Sequence, residues 1–309
     1  MANPVPLDSL TYPRHSGIST FMRLPYITDP KELDIAILGI PYDGTSSYRP
    51  GCRMAPREIR DMSAGIRVYN DALQVNPYKK HRIADYGDLS TDPFSIEETF
   101  RRIEEGIDKL VAANVVPVCV GGDHGITYPI LKPIAKKHGP LALVHVDAHP
   151  DTYDTQFGHK LTHATPMRRA IEDNLLIPSK IIQVGIRGTS FDEHGLEYGK
   201  KKGFRVWTAE EFMSTNIKDF KAEVHRIVGD TKCYLSFDID GLDPSVAPGT
   251  TCPELGGLTS LHGLQLIRSL LGLKLVGADI TCVSPPLDTI SRITSITAAQ
   301  LVYEMICVI

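Results

Sequence analysis

Three short stretches of this 309-residue chain end a hydrophobic run with side chains that bind metals. They cover residues 118–124, 143–151 and 235–240. The candidate ligands are His124, Asp147, His149, Asp151, Asp238 and Asp240. Histidine and aspartate are the ligand types expected of divalent cations such as Mn²⁺, Ni²⁺, Co²⁺ or Zn²⁺. Alone, an Asp-x-Asp motif would be typical of a turn or helix cap, and His124 of a packed or hydrogen-bonded histidine. Three such motifs at the ends of apolar runs together predict a two-metal site.

The aspartate motifs have a spacing that lets their side chains converge. In Asp147-x-His149-x-Asp151 and Asp238-x-Asp240, alternate residues point the same way along a strand, and the chain then turns over its end. Because a carboxylate has two oxygens, we expect Asp147 and Asp238 to bridge two cations. A water shared by both cations loses a proton near neutral pH and becomes a hydroxide that attacks an electron-poor carbon. The expected chemistry is hydrolysis.

The elements that must position these ligands alternate regularly. Apolar runs predict strands at 34–40, 115–120, 141–147, 181–186, 232–238 and 273–280. Helical spacing predicts helices that begin near 55 and others at about 96–113, 127–138, 164–175, 217–228, 260–271 and 294–308. Strands separated by helices require right-handed crossovers and a parallel sheet with helices on both faces. The prediction is an α/β fold, a single-domain three-layer αβα sandwich with a mainly parallel sheet.

Length and composition set the domain plan and exclude some functions. A chain of 309 residues with 42% hydrophobic content can form one large domain, which we place at residues 31–309. Residues 1–30 are rich in proline and polar residues, which predicts an arm that packs on the surface or against a neighbouring subunit. The formal net charge is -4 and no basic block is present, so we expect no nucleic-acid partner.

The sequence carries no signal of export or membrane insertion. Its first residues do not resemble a signal peptide, and no apolar run has the length of a membrane span. We therefore expect a cytoplasmic protein without a membrane partner. The six cysteines occur without CxxC spacing, which argues against a disulfide framework or a zinc knuckle. Cys282 is the one cysteine that we expect to matter for function.

Three motifs resemble the signatures of a known family. Gly121-Gly-Asp-His124 and the stretches 145–153 and 236–249 are similar to the signatures of the ureohydrolases, which include arginases, agmatinases, guanidinobutyrases and guanidinopropionases. Residues 49–60 and 253–259 resemble the agmatinase and guanidinobutyrase branch more than the arginases. The resemblance runs from about residue 12 to the C-terminus, and it implies an arginase-like fold.

The resemblance distributes the candidate ligands between two cations, which are expected to be Mn²⁺ or Ni²⁺. It implies one metal held by His124, Asp147, Asp151 and Asp238, and a second held by Asp147, His149, Asp238 and Asp240. A hydroxide between them would attack a guanidinium carbon, after which an amine leaves and a urea-type product forms. Asp151 is thus predicted to be a catalytic residue as well as a ligand.

The leaving nitrogen needs a proton, and a loop histidine is predicted to supply it. His163, in Leu161-Thr-His-Ala-Thr-Pro166, matches the family's loop histidine that resembles a proton shuttle. Imidazole exchanges protons near neutral pH, which suits this task. His159 lies close by in the sequence and is a second candidate for substrate contact.

The sequence departs from the family pattern at Cys282. Relatives of this branch read Asp-x-x-Glu-x-Ser-Pro, with the glutamate paired to the substrate guanidinium, whereas this chain reads Asp279-Ile-Thr-Cys-Val-Ser-Pro285. Losing that carboxylate costs on the order of several kcal/mol for an ordinary guanidinium substrate. A small thiol instead favours an N-alkylated guanidine or a biguanide. Metformin hydrolases, which resemble agmatinases and convert metformin to guanylurea and dimethylamine, account best for the substitution.

Other interpretations also fit the sequence. The chain is an agmatinase-like or guanidinobutyrase-like enzyme that releases urea if Tyr153, Thr162 or Asp243 replaces the missing glutamate. It is a non-catalytic subunit of a heteromeric hydrolase if Cys282 marks a decayed site. Hydrolysis of formiminoglutamate is a further alternative within the family.

The resemblance also has implications for assembly and for the substrate tail. Ureohydrolases form trimers or hexamers, which implies a homo-oligomer or a hetero-oligomer with a related subunit. The loops at 153–166, 187–198 and 283–286 are expected to read the substrate, because they follow strands at the rim where ligands bind in open α/β sheets.

Overall fold

The computed structural model describes residues 3–192 and 194–309, in which strands and helices alternate. The strands are β1 (Ile35–Ile40), β2 (Ile83–Asp88), β3 (Val116–Gly121), β4 (Leu141–Val146), β5 (Leu176–Ile186), β6 (Arg205–Thr208), β7 (Lys232–Asp238) and β8 (Lys274–Thr281). The α-helices are α1 (Ala55–Ser63), α2 (Pro77–Lys80), α3 (Ile96–Ala112), α4 (Thr127–His138), α5 (Pro166–Glu172), α6 (Glu197–Lys202), α7 (Ala209–Ser214), α8 (Ile217–Val228), α9 (Ser260–Ser269) and α10 (Ile293–Val308). None of the helices in this part of the chain combines the length and hydropathy needed to cross a membrane.

The strands form one all-parallel sheet in the order β2-β1-β3-β8-β7-β4-β5-β6. Helices α1, α8, α9 and α10 contribute buried apolar side chains to one face of the sheet. Helices α3, α4 and α5 do so on the other face. The predicted single-domain α/β sandwich with three layers is therefore confirmed.

The prediction missed two strands, and both lie at the edges of the sheet. β2 reads Ile-Ala-Asp-Tyr-Gly-Asp, and β6 has only four residues, of which the first is Arg205 and the last Thr208. Edge strands are buried on fewer sides, so their sequences carry a weaker apolar signal. β5 begins at Leu176, earlier than predicted. The prediction started later because Pro178 and the two polar residues after it interrupt the apolar run of this strand.

Four neighbouring strands in the middle of the sheet deliver the candidate site. β3, β8, β7 and β4 are adjacent, so their carboxyl ends lie side by side. The chain continues from β3 to His124, from β8 to Cys282 and from β4 to Asp147, whereas Asp238 is the last residue of β7. The motifs that are distant in sequence are thereby brought to one edge of the sheet.

Gly122, just after β3, permits a close approach between backbone segments. Its N–H donates to the Ile40 carbonyl at 3.0 Å. A Cβ at this position would lie 1.8 Å from the carbonyl oxygen of Tyr42, so no other residue fits without moving the backbone.

Part of the N-terminal arm belongs to the core of its own domain. Phe21, Met22 and Leu24 are buried in the apolar layer that contains α1. The guanidinium of Arg23 donates to the Pro13 carbonyl at 3.0 Å, which ties the preceding segment to this anchor. Contact of the arm with a neighbouring subunit stays a prediction.

Candidate metal centre and substrate cavity

The structure brings the candidate ligands together at the carboxyl ends of β3, β4 and β7. One group contains His124, His145, Asp147 and Asp151, and a second contains Asp147, His149 and Asp240, with the ligand atoms of each group within 4.8 Å of one another. Asp238 adjoins the first group, since its Oδ2 lies 3.3 Å from His124 Nδ1. We call these the first and second ligand groups.

His124 is central to the first ligand group. Its Nδ1 lies 2.8 Å from Asp151 Oδ2, 3.0 Å from Asp147 Oδ2 and 3.3 Å from Asp238 Oδ2. Among the described residues, none offers this buried nitrogen a hydrogen bond of acceptable geometry. An imidazole nitrogen that faces several carboxylates in this way fits a cation between them.

Asp147 connects the two ligand groups. Its Oδ2 faces His124, whereas its Oδ1 lies 3.3 Å from His149 Nδ1 and accepts the His149 amide N–H at 2.6 Å. Asp240 completes the second group, because its Oδ2 is 3.3 Å from His149 Nδ1 and its Oδ1 accepts the Ala148 amide N–H at 3.1 Å. The two oxygens of Asp147 therefore face different histidines, which is the arrangement of a bridging carboxylate.

The other predicted bridge, Asp238, has different contacts. Its Oδ2 faces His124, and its Oδ1 accepts the amide N–H of Asp240 at 2.9 Å. Of these two contacts, the one with a ligand atom belongs to the first ligand group, and the one with Asp240 is to its backbone, so a bridging role for Asp238 stays a prediction.

Like charges are crowded in this centre. Burial raises the pKa of Asp151, and the neighbouring Asp147 carboxylate raises it further. Burial, together with Asp238 and Asp147, also holds the pKa of Asp240 well above its ordinary value. Divalent cations would relieve this repulsion and replace the lost hydration of the carboxylates. Carboxylate oxygens and imidazole nitrogens suit both Mn²⁺ and Ni²⁺.

A row of polar side chains lies beneath the ligands. Gln183, His145, Ser236 and Asp279 are neighbours in register on β5, β4, β7 and β8, and they are 0–1% exposed. Because alternate residues of a strand share a face, His145 and Ser236 lie on the face that carries Asp147 and Asp238. We call these four residues the polar row.

The polar row fixes the tautomer of His124. Asp279 accepts hydrogen bonds from Ser236 at 2.7 Å, from Thr127 at 2.8 Å and from Tyr234 at 2.8 Å. Burial raises the pKa of Asp279, but these hydroxyl groups favour its charged form. Since Ser236 gives its only proton to Asp279, it accepts one from His124 Nε2, 2.9 Å away. The Nδ1 of His124 then carries a lone pair toward the carboxylates, an arrangement that a cation stabilises.

A cavity of about 570 Å³ opens over the ligand groups. His149, Asp151, Asp238 and Asp240 line its floor. Its walls include residues 47–49, 186–191 and 251–254 together with parts of the loop at 153–166. The loop at 283–286 contributes none of the described lining residues. The volume suits a small molecule rather than a polymer.

His163 is one of the residues that line the cavity. Its Nε2 lies 2.8 Å from the hydroxyl oxygen of Ser47, which belongs to the loop after β1. Asp43 holds this loop in shape by accepting the amide N–H of Gly51 at 2.7 Å. Two segments that are distant in sequence thus position the histidine, and its role in proton transfer stays a prediction.

Cys282 lies below the cavity and is not among the described residues that line it. Its backbone is left-handed, with φ 63°, and its N–H donates to the Gly122 carbonyl at 2.9 Å. Burial and the Asp238 carboxylate hold the pKa of the Cys282 thiol well above its ordinary value, so the thiol is neutral. Direct contact between this thiol and a substrate stays a prediction.

The other substrate candidates occupy different places. Tyr153 lines the cavity, and its ring meets that of Phe191 edge to face with centroids 5.0 Å apart. His159 is exposed, and the hydroxyl of Thr162 bonds within its own loop. The carboxylate of Asp243 accepts backbone N–H groups of residues 245, 256 and 257. His159, Thr162 and Asp243 are not among the described residues that line the cavity.

Several residues of this region were not predicted from the sequence. His145 and Gln183 could have been found as polar residues inside apolar strands. Arg187, Cys252 and Glu254 line the cavity. The guanidinium of Arg187 donates to six backbone carbonyls around the second ligand group, a role that depends on chain geometry and has no sequence signal.

This chain is similar to known proteins in both sequence and structure. A sequence model described as the arginase family matches residues 33–307. A guanidinobutyrase from Pseudomonas aeruginosa is 45% identical over 307 residues, which cover 98% of this chain and 96% of that protein. A guanidinopropionase from the same species is 43% identical over 308 residues, which cover 99% and 96%. The solved structure of proclavaminate amidino hydrolase from Streptomyces clavuligerus has a TM-score of 0.90 at 38% identity, covering 96% of this chain and 98% of that one.

Proposed function

This chain belongs to the arginase family of metal-dependent hydrolases, and from this premise we propose that it cleaves a carbon–nitrogen bond of a guanidine-type substrate. The observation that carries the proposal is the position of Asp147, whose two carboxylate oxygens face His124 and His149. One side chain thereby joins two ligand groups, as a two-cation hydrolase requires.

The ligand groups would hold one divalent cation each. We assign His124, Asp147, Asp151 and Asp238 to the first cation, and Asp147, His149, Asp238 and Asp240 to the second. When bound, such a pair of cations lowers the pKa of a water between them and supplies a nucleophile at neutral pH. The carboxylates of the chain balance the positive charge, and the cavity above them receives the substrate.

His163 would provide the proton that the leaving nitrogen needs. It lines the cavity that also contains Asp151, and its Nε2 is held by the Ser47 hydroxyl at 2.8 Å. Ser47 is exposed, so this hydrogen bond also connects the ring with solvent, from which the proton is replaced.

For the substrate, we propose an N-alkylated guanidine or a biguanide such as metformin, hydrolysed to guanylurea and dimethylamine. The neutral thiol of Cys282 stands where the family pattern has a glutamate, so this position supplies no carboxylate for a compact guanidinium. The aromatic rings of Tyr48, Tyr153 and Phe191 line the cavity and suit methyl groups and a delocalised cation. The cations would be Ni²⁺ or Mn²⁺.

A guanidinobutyrase-like or agmatinase-like activity that releases urea is the second candidate. It is favoured by the 45% identity to a guanidinobutyrase. Arg49 and Glu254 also line the cavity and offer charges of both signs to the tail of a guanidino acid or of agmatine.

A non-catalytic subunit of a heteromeric hydrolase is disfavoured. Six ligand side chains converge in a buried site, which is costly to keep without a metal. Assembly as a homo-oligomer, or with a related chain, is nonetheless part of the proposal, and light scattering of the purified protein tests it.

Product release from a panel of substrates tests the proposed function. The panel comprises agmatine, 4-guanidinobutyrate, arginine, guanidine, dimethylguanidine and metformin, each assayed with the chain loaded with Mn²⁺ or with Ni²⁺. Release of dimethylamine from metformin or dimethylguanidine supports the substrate that we propose. Release of urea from agmatine or a guanidino acid supports the second candidate. No product from any substrate would contradict both activities for the chain alone and favour a required partner subunit.

A further inference from the structure

The polar row contains a second relay, and it ends on the shared ligand Asp147. Gln183 and His145 are neighbours in register on β5 and β4 and are almost completely buried. His145 Nε2 lies 2.9 Å from Asp147 Oδ2, and Gln183 Nε2 lies 3.0 Å from His145 Nδ1. The three side chains thus form a continuous chain of hydrogen bonds beneath the ligand groups.

Distance alone would also allow His145 to be a metal ligand. Its ring nitrogen belongs to the same cluster as those of His124 and the carboxylate oxygens of Asp147 and Asp151. A neutral imidazole has one nitrogen with a proton and one with a lone pair. The tautomer therefore decides whether Nε2 donates a proton to Asp147 or binds a cation.

The orientation of the Gln183 amide decides this tautomer. Gln183 Nε2 lies 2.8 Å from the Pro150 carbonyl oxygen, which can only accept a proton. The amide nitrogen must therefore be on this side, and its second proton goes to His145 Nδ1. Since Nδ1 accepts a proton, Nε2 carries one, and His145 donates it to Asp147.

We propose that Gln183 and His145 form a positioning relay, which holds the Asp147 carboxylate in its bridging orientation and keeps His145 out of the coordination of the metals. The proposal rests on the function proposed above, since Asp147 must bind both cations. It complements the relay from His124 through Ser236 to Asp279. The polar row thus offers a proton donor, His145, to the carboxylate ligand Asp147, and a proton acceptor, Ser236, to the histidine ligand His124.

Metal affinity of the full chain, measured by competition with a chelator, tests the relay. His145→Phe removes the donor to Asp147 while keeping a ring of similar size, and Gln183→Met removes the donor to His145. We expect His145→Phe to weaken Mn²⁺ binding about 10- to 100-fold, the usual effect of losing such a partner, and Gln183→Met to weaken it less. The double variant should match His145→Phe, because Gln183 acts through His145.

Gln265→Met is the matched control for this cycle. Gln265 is partly exposed on α9, so the same chemical change should leave Mn²⁺ affinity unaltered. Losses that multiply in the double variant, or wild-type affinity in either single variant, would overturn the relay. A wild-type chain that binds no metal would instead contradict the proposed function, and the same titration separates the two failures.

The tautomer itself gives a readout that a purely structural role would not move. In the Zn²⁺-loaded chain labelled with ¹⁵N-histidine, long-range NMR correlations should show His145 with its proton on Nε2. Gln183→Met should reduce this preference. A His145 with its proton on Nδ1, or with Nε2 bound to zinc, overturns the proposal, and this measurement decides the question even if His145→Phe does not fold.

Discussion

The floor and the rim of the cavity differ in how they are built. Directly beneath the floor, His124, Asp147 and Asp279 are 0% exposed and lie at or near the carboxyl ends of the central strands. On the rim, Tyr48 and Phe191 are 80% and 75% exposed and lie on loops. Strand register fixes the floor atoms, whereas loop residues can change without disturbing the sheet. The reaction is therefore expected to depend on the floor, and the choice of substrate on the rim and on Cys282.

The largest effect should come from Asp147, the residue beneath the floor that both ligand groups share. Asp147→Ala removes both oxygens that face His124 and His149, so we expect activity to fall below detection and metal content to drop from two cations per chain to one or none. Elemental analysis of the purified variant measures the metal directly. Asp108→Ala, an exposed aspartate on α3, is the matched control, and full occupancy in Asp147→Ala would contradict the assignment.

The next effect should come from His163, which lines the wall of the cavity. His163→Ala removes the proposed proton donor without removing a ligand, so turnover should fall about 10²- to 10⁴-fold while both cations stay bound. Turnover and metal content are measured on the same preparation. His15→Ala, an exposed histidine in the N-terminal arm, should have no effect. Loss of metal in His163→Ala would mean that the residue supports the floor instead.

Cys282 lies below the cavity, at the position of the family glutamate, and gives the sharpest test of specificity. Cys282→Glu restores the family carboxylate, so hydrolysis of metformin or dimethylguanidine should weaken about tenfold or more, while hydrolysis of agmatine or 4-guanidinobutyrate should rise. Ratios of kcat/KM for the two substrate classes report the change. Cys282→Ser keeps the small size without a charge and should leave the ratio near that of wild type. An unchanged ratio in Cys282→Glu would show that the side chain at this position does not face the substrate.

The smallest effect should come from the rim. Phe191→Ala removes the ring that packs on Tyr153, so KM should rise about fivefold, equivalent to about 1 kcal/mol, while metal content and kcat hardly change. Phe157→Ala is the control, because Phe157 is equally exposed but does not line the cavity among the described residues. A large loss of kcat in Phe191→Ala would show that rim and floor are not separable.

The convergence of the three ligand motifs could be predicted from the sequence for a physical reason. The central strands are buried on both faces, so they read as apolar runs, and each ligand motif follows such a run directly. Parallel strands then bring their carboxyl ends to one edge, which explains why His124, Asp147 and Asp238 could be placed together without a structure.

The parts that could not be predicted depend on register and on loop paths. Gln183 and His145 meet only because β4 and β5 pair in a particular register, and a sequence does not state which residues become neighbours. Arg187 donates to backbone carbonyls near Asp240, and Ser47 contacts His163. Both residues lie on loops, and the path of a loop is set by many weak contacts. The left-handed backbone of Cys282 likewise has no signal in the local sequence.

Metal stoichiometry coupled to activity is the most direct test of a two-cation hydrolase. The metal-free chain would be titrated with Mn²⁺ and with Ni²⁺, and bound cations and product release from the substrate panel would be followed together. We predict two cations per chain, with activity that appears as the second one binds. A chain that binds no cation, or that is fully active with a single one, would contradict the account.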